Sequence, residues 1–238
     1  MLVVSPQEPL NEWALFQIDQ FLLRGGSLML FLDSHTVFVN QGSGFGGSSA
    51  FYLPRDTGIE KLIEHYGIRL KQSYVLDEQS FVQRQPSQRG GFFESKIYFA
   101  PLLKEDEINQ DFSFLSNIEE LVMLNISPLE LVDEAQQDGV TYTEVLKSSP
   151  TAWEMAENID LMGARPSDKD ERSSFPLAVV AKGTFSSYFK DREIPEQPRS
   201  DSSDQSSDKD QGSVISEEKL YAEQTFTSEG QGALFVVG

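Results

Sequence analysis

Cysteine is absent from the 238 residues. Its absence removes disulfide bridges, a thiolate nucleophile and every Cys-ligated zinc or iron–sulfur site, and it fits reducing and oxidising compartments alike. Basic side chains are scarce: 19 Lys and Arg stand against 38 Asp and Glu, giving a formal charge of −19 and an isoelectric point near 4.4. Affinity for a phosphate backbone comes from Lys and Arg that displace its counterions, so nucleic acid is not an expected partner. An anionic membrane surface is disfavoured for the same reason. There are two histidines, His35 and His65, which leaves little material for imidazole catalysis or a His-rich metal site.

Long hydrophobic runs are missing too. The opening MLVVSPQEPL has no basic segment leading into an apolar core, so it does not read as a secretory signal. The most apolar stretch, 21–39, is broken by Arg24, Gly25, Gly26, Asp33 and His35, whereas a membrane-spanning helix needs about 18 uninterrupted apolar residues. The chain starts on Leu2-Val3-Val4 and stops after Phe235-Val236-Val237, both strand-like. The expectation is an excised domain whose anchor or targeting signal lies outside it.

Catalytic signatures are equally thin. No G-x-x-x-x-G-K-[ST], G-x-S-x-G or D-x-[DN]-x-[DN]-G occurs. Gly42, Gly44 and Gly47 satisfy G-x-G-x-x-G, but a dinucleotide site needs a helix opening at the last glycine, and Ser-Ser-Ala-Phe-Tyr-Leu-Pro54 follows instead. These glycines read as a flexible loop. Gly183-Thr184-Phe185-Ser186-Ser187 lacks the second glycine of a nucleophile elbow, so Ser186 and Ser187 read as helix-start residues. Acidic runs at 105–107 and 168–171 read as solvated faces, and Asp201, Asp204, Asp208 and Asp210 have no preformed calcium cage. Trp13 and Trp153 sit beside apolar neighbours and read as core. No catalytic, cofactor-binding or metal-ligating residue is expected.

What the chain does contain is ample core material, 39% apolar and 11% aromatic, enough for one large domain or two small ones. Residues 2–4 read as a strand. Ala14, Leu15, Ile18, Phe21 and Leu22 recur at helical spacing behind Asn11 as N-cap, and Arg24-Gly25-Gly26 stops the helix before a second strand at 27–32. If its strands are parallel, this strand–helix–strand unit should cross over right-handedly. A short helix at 59–66, a strand at 70–76 ending in Asp77, a hairpin or extended arm at 80–100, and strands at 119–124 and 141–147 follow. Residues 175–192, FPLAVVAKGTFSSYFKDR, read as a strand of a parallel sheet, a break at Gly183 and a short helix capped by Thr184. The Ser- and Asp-rich segment 193–212 cannot bury enough apolar surface to order itself and is expected as a mobile loop, with strands at 221–227 and 232–238 behind it. The expected organisation is 1–78 as the first part of an α/β domain, 79–174 as a β-rich insertion, 175–192 as core strand and helix, 193–212 as acidic loop, and 213–238 as final strands.

Several blocks, in order, resemble a known family: Gln20-Phe21-Leu22-Leu23-Arg24-Gly25-Gly26 running to Phe31-Leu32-Asp33; Thr57-Gly58-Ile59 to Tyr66-Gly67-Ile68 with Val75-Leu76-Asp77; Leu146 to Pro150 followed by Trp153; the FPLAV block; and the terminal Val236-Val237-Gly238. They are similar to the extracytoplasmic auxiliary component of gliding-motility-type ABC transporters, the GldG-like family. The resemblance implies an α/β fold, flavodoxin-like or class I amidotransferase-like, with a mostly parallel sheet, helices on both faces and a β-rich inserted part. It implies no transferable catalytic residues, and an amidotransferase would need the cysteine this chain lacks.

The resulting expectation is a non-enzymatic domain at the periplasmic or extracytoplasmic face of the inner membrane, anchored by segments outside this chain. It would act through protein contacts or substrate capture. Its partners would be the membrane and ATPase subunits of an ABC transporter and a cell-envelope protein; no cofactor is implied. Asp33, Ser34 and His35 form the candidate contact region, because they follow the second strand where a crevice should open. Two rivals stay open: a hydrolase using carboxylates with Ser34 or His35, and a sugar- or peptide-binding module whose groove is lined by rings such as Tyr74 or Phe92.

Overall fold

The structure, a computed structural model, describes residues 1–40, 49–86, 90–197 and 225–238. Its elements run β1 (Leu2–Val4), α1 (Glu12–Leu23), β2 (Ser27–Phe31), β3 (His35–Asn40), β4 (Ser49–Pro54), α2 (Ile59–His65), β5 (Ile68–Leu70), β6 (Tyr74–Asp77), β7 (Ser80–Pro86), β8 (Phe92–Leu103), β9 (Leu121–Val122), β10 (Leu129–Leu131), β11 (Val140–Lys147), β12 (Ala152–Met155), β13 (Pro176–Ser186) and β14 (Glu229–Val237).

The N-terminal unit forms as its sequence dictates. Asn11 caps α1 by accepting the Ala14 N–H at 2.8 Å, and the chain leaves the helix through Gly25 in the left-handed region at φ +88°. β1 and β2 then pair in parallel, Leu2 opposite Met29. The final strand β14 inserts beside β2, also parallel, and completes a five-stranded sheet in the order β1-β2-β14-β13-β11.

That sheet is not the expected doubly wound one. β13 runs antiparallel to both β14 and β11, so the sheet is parallel on one side only. Among the described residues strands account for 41% and helical residues for 13%, with two α-helices, which overturns the flavodoxin-like assignment. The remaining strands form small sheets: β3–β4, β5–β10, β6–β12 and β7–β8–β9. Helices do not cover both faces. α1 and α2 share one apolar cluster with Leu28, Leu30, Val179, Ala181, Leu234 and Val236 of the sheet. The second cluster, around Ala178, Leu177 and Val237, is closed by Val75, Leu103, Ile108, Leu115 and Ile126, which come from strands and loops.

The misreading of 175–192 has a definite cause. A continuous apolar run marks burial on both faces, and an antiparallel strand covered on both sides carries the same run as a parallel one. β13 continues through Gly183 to Ser186 with no helix after it. Gly183, at φ +152°, lets the chain pass so close to β11 that a Cβ there would lie 2.1 Å from the Gly139 carbonyl oxygen. Its glycine marks backbone crowding within a sheet, not a break. The expected strand at 70–76 divides into β5 and β6, which pair with β10 and β12 in different sheets. The hairpin at 80–100 is present as β7–β8. Residues 225–227 are not strand, and 221–224 and 198–212 lie outside the described residues.

One polar knot ties these layers together inside the first cluster. The Asp19 carboxylate, fully buried on α1, accepts from Tyr66 Oη (2.5 Å), Ser187 Oγ (2.8 Å), Tyr188 N–H (2.9 Å) and Gln20 Nε2 (3.0 Å). Gln20 also exchanges two bonds with the Thr227 backbone, at 2.8 and 3.0 Å. Burial, then the carboxylate beside it, pushes the Tyr66 hydroxyl well above its ordinary pKa, which keeps it a donor. Replacing Asp19→Ala strands these donors in the core, and each unpaired buried group costs about 1–3 kcal/mol. Urea unfolding should show a loss of about 3 kcal/mol or more for Asp19→Ala, whereas Glu12→Ala on the exposed face of α1 should change stability little.

Candidate functional site

The junction between β2 and the β3–β4 hairpin holds the three residues singled out in the sequence. Asp33 is half-exposed, and its Oδ2 accepts from the Arg55 guanidinium at 3.2 Å and from the Ser5 hydroxyl. Arg55, immediately after β4, is nearly buried at 9% side-chain exposure. It also donates to Thr36 Oγ1 at 3.1 Å, Ser5 Oγ at 3.0 Å and the Pro6 carbonyl at 3.4 Å. Asp33 and Arg55 therefore close the base of the hairpin and pin it to the loop after β1.

Ser34 and His35 point the other way and are buried. Ser34 Oγ lies 2.8 Å from His35 Nδ1 and 2.6 Å from Ser127 Oγ. This spacing suits Ser127 donating to Ser34 and Ser34 donating to an unprotonated Nδ1. The imidazole stacks on the Tyr74 ring, with centroids 5.2 Å apart. Burial lowers the His35 pKa from its ordinary 6.5. Tyr74 is pushed up to about 12, chiefly by burial and then by Tyr52 and Asp33, with Arg55 opposing.

A serine bonded to a histidine invites comparison with a nucleophile and its base, but two features separate them. Ser34 is 1% exposed and its hydroxyl is already shared between two partners, so an incoming carbonyl carbon has no approach to it. The adjacent carboxylate, Asp33, is bound to Arg55 and Ser5 and does not orient the imidazole. Among the described residues the buried acids of the hydrolase rival lie in separate clusters. Besides Asp19, the buried Asp77 accepts from Ser149 N–H (2.9 Å), Ser149 Oγ (2.7 Å), Thr151 Oγ1 (3.0 Å) and Gln79 N–H (2.9 Å), fastening the turn before β12. Among the described residues no group of three or more His, Asp or Glu is placed to hold a metal.

The other sequence-selected residues fall as follows. His65 is half-buried, with Nε2 2.9 Å from the Ser186 carbonyl. Ser187 serves Asp19 and accepts the Phe189 N–H instead of opening a helix. Trp153 is buried beneath the Arg172 guanidinium, 4.4 Å from its centroid, and Trp13 stacks on Phe16. Tyr74 is buried in a third cluster with Leu76, Trp153 and Leu161, while Phe92 is exposed far along the β7–β8 ribbon. The two rings do not line a common groove. Gly42, Gly44 and Gly47, and Asp201, Asp204, Asp208 and Asp210, lie outside the described residues; the glycines are followed by the strand β4, not by a helix. The sequence reading missed Arg55, Ser127, Asp19 and Asp77. For Asp19 a signal existed, since it lies between Leu15 and Leu23, four residues from each, and both face the core.

The His35 shift fixes a sign. The unfolded chain protonates this imidazole near pH 6.5, the folded chain only at lower pH, so stability falls as pH drops below about 6.5 and levels once the folded imidazole is also charged. Chemical denaturation between pH 7.5 and 5.5 should show this decline, and His35→Gln should flatten it.

Comparison with known proteins adds one finding. The family model for an ABC-type uncharacterized transport system matches residues 1–234, while no curated protein and no solved structure matches. With nearly the whole chain covered, the protein belongs to this family of auxiliary components of ABC-type transport systems.

Proposed function

We propose that the chain is a non-catalytic, extracytoplasmic domain of a GldG-like transport auxiliary protein, which works by binding the membrane and ATPase subunits of its ABC transporter and a component of the cell envelope. The observation that carries this reading is the family match across residues 1–234. Two features of the site agree with it. The Ser34–His35 pair is spent on closing a junction, and the ion pair there, Asp33 with the nearly buried Arg55, ties the base of the hairpin to the loop after β1. Among the described residues no helix is long and apolar enough to cross a membrane.

Of the three residues Asp33 carries the contact in this reading, because it is half-exposed while Ser34 and His35 are buried. Asp33→Asn keeps an acceptor for Arg55 and Ser5 while removing the charge. Affinity capture from native membranes with the tagged full-length protein should enrich the ATPase and membrane subunits, and Asp33→Asn should reduce the yield several-fold. No enrichment with either protein would sink the transporter reading. Equal enrichment with both would remove Asp33 from the contact.

A further inference from the structure

The β3–β4 hairpin is a two-stranded sheet with an apolar side that no other described element covers. Phe38 pairs with Phe51 and Thr36 with Leu53, which places these four side chains on one face. The opposite face, bearing His35 and Tyr52, leans on Tyr74 at 5.2 and 5.6 Å between ring centroids. On the first face Phe38, Phe51 and Leu53 are exposed at 54, 56 and 55%, and past the ring contacts Val37 and Val39 of the second face are exposed as well. An isolated two-stranded ribbon is marginal in water, and a contiguous exposed apolar face marks an interaction site.

Charge identifies what covers it. From Ser34 to Pro54 there is no Asp, Glu, Lys or Arg, the longest charge-free run in a chain that is 24% charged overall. The β7–β8 ribbon, by comparison, carries the Arg84–Glu94 pair at 2.8 Å and Lys96, the guard charges by which exposed ribbons usually avoid association. A net charge of −19 opposes self-association through charged surface, and on this face two copies meet without opposed charges. A bilayer fits less well. Interfacial anchors carry Lys or Arg beside their apolar face and favour Trp and Tyr at the boundary, and the outer edges of a ribbon cannot be satisfied in hydrocarbon. A basic protein partner would be drawn to the acidic surface instead.

We infer that the Phe38, Phe51 and Leu53 face is a self-association surface, on which the hairpins of two copies stack to form a two-fold dimer. At the base of the hairpin each Asp33 is neutralised by its own Arg55, so no net charge faces the partner there. Long-range repulsion between the acidic bodies opposes the contact, so the dimer strengthens as salt screens it.

Sedimentation velocity of the chain across a concentration series tests this. The wild type should shift from monomer to dimer with rising concentration, more readily in high salt, and Phe38→Asp should weaken association at least tenfold. Because the chain lacks cysteine, Leu53→Cys or Phe51→Cys supplies one thiol per copy. Either should give a covalent dimer with a short bismaleimide, while Met162→Cys, exposed at 75% elsewhere, should not. A wild type that stays monomeric at all concentrations and salts overturns the inference. So does cross-linking at Met162→Cys equal to that at the hairpin, and so does flotation with uncharged phosphatidylcholine vesicles by a chain that never dimerises.

Discussion

The fold depends on the buried carboxylate of Asp19. It joins α1 to the end of α2 through Tyr66 and to the chain leaving β13 through Ser187 and Tyr188, partners 47, 168 and 169 residues away. Its neighbour Gln20 binds Thr227, 207 residues away, just before β14. β14 must enter between β2 and β13 for the sheet to exist, and this knot fixes where that entry begins. A buried carboxylate without a cation is tolerated only when its oxygens are satisfied. Both Asp19 oxygens hold two donors each. The same requirement makes the arrangement specific, since a shifted helix would leave several groups unpaired at once.

From this anchor the molecule is asymmetric. Helices cover one face of the main sheet, and strands and loops cover part of the other, where Leu2, Val4, Met29 and Phe31 stay exposed on β1 and β2. Both ribbons root in the cluster around Tyr74 and Trp153, through Tyr52 on one side and Tyr98 and Phe99 on the other. These two ribbons are thus appendages braced by one aromatic cluster, whereas β5–β10 belongs to the cluster under the helices. Among the described residues such a body presents strand edges and exposed apolar faces.

Where local chemistry decided the outcome, the sequence was legible. The Asn11 cap, the helical spacing from Ala14 to Leu22 and the Arg24-Gly25-Gly26 stop produced α1 where expected, and the paired runs around Gly90-Gly91 produced the β7–β8 ribbon. Strand direction was not legible. The run from Leu177 to Ala181 records burial on both faces, and burial is indifferent to whether neighbours run parallel or antiparallel. Of the candidate site, the position of Asp33 at a strand end was readable. Its pairing with Arg55 depended on β3 and β4 folding back on each other, and the closure of Ser34 and His35 depended on Ser127 and Tyr74 arriving from distant strands.

The sequence by itself determined the excluded chemistry, because absent side chains cannot be supplied by folding: no thiolate, two imidazoles and a strong acidic excess. It also determined α1, whose cap and stop lie within a few residues of it. Tertiary structure alone decided which strands became neighbours, which acids were buried and which apolar side chains stayed outside. Those outcomes rest on contacts between residues tens to hundreds of positions apart, and local periodicity carries no record of the partner across such a gap.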